Sequence, residues 1–277
     1  MPDMLRASVL VIGDEILDGF VQDTNSGWLA GRLQALGIPL DRIVTVPDDG
    51  GAIGEALGSE LSRSRPRVVL TSGGIGSTPD DLTFAAVARH LGVGLVVQAD
   101  IEARIAGAVE WTSSQGMTLS LGHARSLRKM ARVPAGSYLL GGARGVAQGI
   151  AVDVGGGAGR RGGATVVVLP GIPNELRRIM LEGVEPTLLA GRGTPQHVAE
   201  LTHPYPESAL NPVLERLVAE FPEVRVGSYP GPQCVVRLQG PPERVEAALA
   251  QVRAGLAEID ADASAAQLRA GWRSRWD

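Results

Sequence analysis

The sequence predicts an α/β fold, a mostly parallel sheet covered by helices, followed by a small α+β domain. Three observations carry that expectation. Short β-rich runs alternate with longer helical patterns through the first half of the chain. The strand runs are apolar throughout rather than at every second position, as in sheets covered on both faces. A glycine- and proline-rich stretch, 191–195, separates this region from a second pattern of strand, helix, strand, strand and helix.

Taken in order, Ala7–Ile12, Leu40–Val46 and Arg67–Thr71 read as strands, and Thr24–Leu36, Ile53–Ser62 and Asp80–Leu91 as the helices between them. Leu29, Leu33 and Leu36 fall at i, i+4 and i+7, and Ile53, Leu57 and Leu61 at four-residue steps, so each helix has one apolar face. Residues 99–131 read as irregular helix. A hairpin pattern comes next at Tyr138–Leu140 and Val146–Val154, with the glycine run 155–163 as its mobile connection to a further strand. Thr165–Leu169 is that strand, and Asn174–Leu189 a helix closing the first domain. The domains expected are 1–192, 193–260 and a tail, 261–277, which either docks through Trp272 and Trp276 or frays. The second domain has no GxxG clamp between its helices, so it reads as a packing or self-association module rather than an RNA-binding one.

Composition narrows the function. A formal net charge of −4 gives no electrostatic case for a nucleic-acid partner. No run approaches the roughly 20 apolar residues of a membrane span, and the first residues do not read as a signal peptide, so a cytoplasmic location without membrane attachment is expected. The one cysteine, Cys234, reads as a core thiol, and His90, His123, His197 and His203 are scattered without a triad-like neighbour. Lys129 is the only lysine, and its surroundings match neither a phosphate-loop lysine nor a Schiff-base site.

In an open parallel sheet the ligand crevice lies beyond the carboxyl ends of the strands. The segments after the three predicted strands are rich in carboxylates: Gly13-Asp14-Glu15 and Asp23-Thr24-Asn25, then Asp48-Asp49, then Ser72-Gly73-Gly74-Ile75-Gly76-Ser77-Thr78-Pro79-Asp80-Asp81. The glycines allow positive φ and close backbone approach, so successive N–H groups can cradle a phosphate. The competing reading is a plain helix start, with Ser77 or Thr78 as cap and Pro79 at the first helical position. Carboxylates repel phosphate, so a divalent cation, Mg, Mn or Co, is expected, with Asp48, Asp49, Asp80 and Asp81 as candidate ligands. A second strand-to-helix turn, Leu169-Pro170-Gly171-Ile172-Pro173-Asn174-Glu175, is expected to border the same cleft.

Together these motifs resemble the MoaB/Mog-like domain of the CinA (competence/damage-inducible protein A) family, across about residues 5–190. Phe221-Pro222-Glu223-Val224 and Val226-Gly227-Ser228-Tyr229-Pro230 resemble the family's small domain. The resemblance implies a three-layer fold and two candidate activities, molybdopterin binding and metal-dependent hydrolysis of the ADP-ribose pyrophosphate. It places Asp48 and Asp81 as the catalytic acidic pair and Gly73, Gly74, Gly76 and Thr78 in the phosphate turn. Gly13, Glu15, Asn25, Ser72, Ser77, Asp80, Pro170, Gly171 and Glu175 support the ligand, a nucleotide or a pterin phosphate. A homo-oligomer is expected, and the family's nicotinamide-mononucleotide deamidase domain is not expected after residue 260. The chain departs from the family pattern at Met130, where an amide is usual, and at Gly142 and Gln148, where Asn and Pro are missing. The alternatives to hydrolysis are therefore a non-hydrolytic molybdopterin module and a degenerate, non-catalytic member.

Overall fold

The structure is a computed structural model that describes residues 4–117, 120–141, 145–157 and 163–276. It divides into two compact units, Met1–Pro195 and Gln196–Asp277.

The first unit runs β1 (Arg6–Ile12), α1 (Asp14–Leu17), α2 (Asn25–Ala35), β2 (Leu40–Val46), α3 (Gly50–Leu61), β3 (Arg67–Ser72), α4 (Thr83–Leu91), β4 (Leu95–Val97), α5 (Ala99–Ser114), α6 (Leu121–Lys129), β5 (Arg132–Pro134), β6 (Tyr138–Leu140), β7 (Gly149–Val154), β8 (Ala164–Leu169) and α7 (Pro173–Ile179). The six-stranded sheet has the order β2-β1-β3-β8-β7-β6. Its first four strands are mutually parallel, and β7 and β6 are antiparallel to their neighbours.

Successive side chains of a strand point to opposite faces, and the two cores obey that alternation. Val68 and Leu70 of β3, with Val167 and Leu169 of β8, pack beneath Leu29 and Leu33 of α2 and Leu176 and Ile179 of α7. Val69, Val166 and Val168 face the other way, against Leu57 of α3, Phe84 and Val87 of α4 and Ile101 of α5. Strands buried on both faces have no room for alternating polar residues. The result is the expected three-layer, mostly parallel architecture.

Three local expectations are corrected. The helix expected from Asp80 begins at Thr83, after Leu82, and neither Ser77 nor Thr78 caps it. Asp81 folds back instead, its Oδ2 accepting from Thr78 N (2.8 Å) and Thr78 Oγ1 (2.6 Å), which closes 78–81 as a turn. The helix expected over Asn174–Leu189 is α-helical only to Ile179, and Met180–Leu189 is wound as a π-helix containing Pro186. Proline has no N–H for an i−4 carbonyl, so the regular ladder cannot run through it. The stretch 99–131 resolves into two helices, α5 and α6, flanked by the short antiparallel β4–β5 pair. Of the glycine run 155–163, residues 158–162 lie outside the described residues, as does Gly142; the flanking ends Val154 and Ala164 pair as an antiparallel hairpin.

The second unit consists of β9 (His197–His203), α8 (Glu207–Glu220), β10 (Arg225–Tyr229), β11 (Cys234–Gly240), α9 (Pro242–Ala261) and α10 (Ala265–Arg273). Its antiparallel sheet, β10-β11-β9, buries Val236 and Leu238 against Leu210, Leu217, Val245 and Val252. The tail region forms α10, with Trp272 buried and its Nε1 donating to Gly231 O (3.0 Å). Cys234 is fully buried, and its register partner is His203 on β9, so these two residues stand side by side although far apart in sequence. No described helix is long and apolar enough to cross a membrane.

Candidate ligand-binding cleft

A cleft of about 370 Å³ opens where β1, β2, β3 and β8 end. Its floor is the turn after β3. Gly73 has φ +108°, Gly74 has φ +66°, and a methyl group at Gly73 would overlap the Ile12 carbonyl oxygen. These positions need glycine for both conformation and space. A Cβ on Gly171 would stand 3.5 Å from Gly73 Cα, so the turn after β8 lies backbone to backbone against the turn after β3.

The donors in the floor are partly assigned. Gly73 N is bonded to Leu169 O (3.1 Å) and Thr78 N to Asp81. Among the described residues, the N–H groups of Gly74, Ile75, Gly76 and Ser77 meet no acceptor. Three of these residues, Gly74, Ile75 and Gly76, line the cleft, and consecutive free amides in a glycine turn suit an anion.

The walls carry two chemistries. Glu15, Asp48, Asp80, Asp81 and Glu175 bring carboxylates from separate loops of the chain. Facing them are Ile12, Ile75, Met130, Ala147 and Ile172. Asp48 Oδ2 accepts from Asp14 N (2.9 Å). Burial, and then the charges of Glu15, Asp14 and Asp80, push the Asp48 carboxyl above its ordinary range despite that bond. Asp80 is exposed, and the Thr78 hydroxyl next to it donates to Asp81.

The structure brings most of the sequence-expected residues together. Glu15, Asp48, Gly73, Gly74, Gly76, Asp80, Asp81, Pro170, Gly171 and Glu175 all line the cleft. Asn25 and Ser72 line an adjoining cavity of about 120 Å³ that shares Glu15 and Gly171. Asn25 acts as a tie there, its Nδ2 donating to Ser72 Oγ (3.0 Å) and Gly171 O (2.7 Å). Gly13 leaves space for the Glu15 carboxylate, which a Cβ would meet at 2.7 Å. Ser77 and Thr78 lie in the turn but not on the cleft wall. Asp49 is placed elsewhere: its Oδ1 accepts from Gly51 N (2.9 Å) and Ala52 N (2.8 Å) and caps α3. Among the described residues, no three His, Cys, Asp or Glu side chains converge as a metal-binding group.

Sequence reasoning missed the apolar wall and the part played by Lys129. The apolar residues come from separate segments, and each reads alone as core. Lys129 Nζ donates to the Thr78 carbonyl at the rim of the cleft, a contact between residues 51 positions apart that no local pattern announces.

Fold and cleft together define an α/β domain for a small ligand, sited at the carboxyl ends of parallel strands. The chain belongs to the family described as probable molybdopterin binding domain, whose profile matches residues 8–190, and it is similar to CinA proteins. A protein of Pyrobaculum arsenaticum is 35% identical over 227 residues, covering 81% of this chain and 79% of its own. A CinA-like protein of Mycolicibacterium vanbaalenii is 37% identical over 231 residues, which are 80% of this chain but 52% of that longer protein. Among solved structures, CinA from Thermoplasma acidophilum, described as of unknown function, matches with a TM-score of 0.52 and 30% identity, covering 64% of this chain and 94% of that one.

Proposed function

We propose that the cleft binds a nucleotide diphosphate together with a divalent cation and hydrolyses the pyrophosphate bond of ADP-ribose or a similar nucleotide. The observation that carries this reading is the set of free amides at Gly74, Ile75 and Gly76 in the floor of a cleft walled by carboxylates. The amides suit phosphate oxygens, and the apolar wall of Ile75, Met130, Ala147 and Ile172 suits a planar ring. Five carboxylates alone would repel that ligand, by roughly 1 kcal/mol per charge pair at 4 Å in water and more in a dry cleft.

The donor set fits a hard cation, because it offers carboxylate oxygens and neither histidine nor cysteine. Asp48, Asp80 and Asp81 line the cleft without forming a ligand cage by themselves, so the cation would be held by phosphate oxygens of the ligand together with single carboxylates of this wall. When bound, the cation supplies charge neutralisation and Lewis-acid activation. Asp48 and Asp81 each have one oxygen already occupied by a backbone N–H and a second left for other work. Asp48, which lines the cleft with one oxygen unassigned, would take the proton from the attacking water. Water oxygen bonds to one phosphorus and the bridging P–O bond breaks, giving AMP and ribose 5-phosphate, while the amides of the turn receive the charge that develops on the non-bridging oxygens.

The test incubates the purified chain with ADP-ribose and Mg²⁺, Mn²⁺ or Co²⁺. AMP release above a chelated control, lost in Asp81→Asn, is expected; no release by folded protein overturns the hydrolytic reading. Saturable binding of molybdopterin without hydrolysis would establish the family's other candidate activity in its place.

A further inference from the structure

The loop that presents Asp80 and Asp81 is not helical, so no helix ladder fixes it. Within itself it is closed by the Asp81 bonds to Thr78 N and Oγ1, and by Asp81 N donating to Thr78 O (3.3 Å). It joins α4 through Thr83, whose N donates to Gly74 O (3.0 Å) and whose Oγ1 donates to Gly73 O (2.9 Å). From a distant element it is held by Lys129, the chain's only lysine, through the bond from Nζ to Thr78 O.

Lys129 is well placed to transmit rigidity. It is the last residue of α6, and the next residue, Met130, lines the cleft. Ala131 O then accepts from Gln98 N (2.8 Å), at the start of α5, and β5 pairs with β4. One ammonium group therefore couples the acidic loop to the packed α5–α6–β5 layer.

We propose that Lys129 is a positioning residue, a clamp on the Thr78 carbonyl that holds Asp80 and Asp81 at the cleft. Its consequence for ligand binding rests on the function proposed above, while its mechanical role does not. The loop should open locally more often without the clamp, and local opening is what amide hydrogen exchange reads.

The experiment compares residue-resolved exchange at the Thr78, Asp81 and Thr83 amides in the full chain, in Lys129→Met and in Lys129→Arg. Exchange at these three amides should quicken about tenfold in Lys129→Met, the scale of one hydrogen bond from a charged donor. It should return most of the way in Lys129→Arg and stay unchanged in β9–β11. Unchanged exchange at the three amides, or an equal acceleration throughout the first unit, overturns the proposal. In parallel, Mn²⁺ affinity in the presence of inorganic pyrophosphate should weaken in Lys129→Met and recover in Lys129→Arg. If the parent chain binds neither probe, the proposed function falls, and the exchange result still decides the clamp.

Discussion

At the scale of single residues, the glycines of the cleft are the sharpest constraint. Gly73 combines φ +108° with a Cβ direction blocked by the Ile12 carbonyl, so Gly73→Ala must displace the turn. A loss of about 1–3 kcal/mol in urea unfolding is expected, the cost of such a backbone conformation in a residue with a side chain, together with loss of ligand binding. A second residue-scale device lies away from the cleft. Arg67 is fully buried and ion-paired with Asp41, which also pairs with Arg6. Burial pushes the Asp41 carboxyl up, but the hydrogen bonds from Arg6 and Arg67 outweigh it and leave the group below its ordinary range. The stability this adds is fully present above the unfolded carboxylate pKa of about 3.9 and is lost as pH falls through the lowered folded value. Asp41→Asn removes the nearer counter-charge of the buried Arg67 guanidinium and leaves Glu60 at 3.9 Å, at a cost of about 1.5–3 kcal/mol, the scale of hydrogen bonds to a charged group. Chemical unfolding at several pH values should show that deficit near neutrality and a smaller one below pH of about 4.

At the scale of elements, the sheet is legible in the sequence and the irregular connections are less so. Apolar runs such as Val166-Val167-Val168-Leu169 predict a covered strand because both faces are buried. The start of α4 departs from expectation because Pro79, Asp80 and Asp81 are what a first helical turn prefers, whereas the Asp81 carboxylate takes the Thr78 donors and closes a turn. The π-helix has a visible cause in Pro186 but no visible extent. Its packing does give a test. A Cβ on Gly183 would overlap Gly141 N, so the helix lies directly on the backbone after β6. Gly183→Ala should cost about 1–3 kcal/mol by overpacking, and an unchanged denaturation midpoint would show that this close approach does not exist.

Across the whole molecule, the four acidic and glycine-rich loops expected to share one sheet edge do share it, since Glu15, Asp48, the Gly73–Gly76 turn, Asp80, Asp81 and Glu175 line one cleft. Asp49 is the exception, because a carboxylate before a helix serves as well for capping as for binding, and here it caps. The apolar wall is illegible in the sequence because periodicity reports burial and not what covers a side chain. The second unit has its own core, in which Leu238 is fully buried. Leu238→Ala should lower its unfolding free energy by about 2–5 kcal/mol, and calorimetry should show the transition of the first unit unmoved. The most direct test of the account is calorimetric titration of the intact chain with ADP-ribose, with and without Mg²⁺. Saturable binding that requires the cation and is abolished by Gly73→Ala is predicted; binding that is equal without the cation, or absent from folded protein under both conditions, would contradict the account.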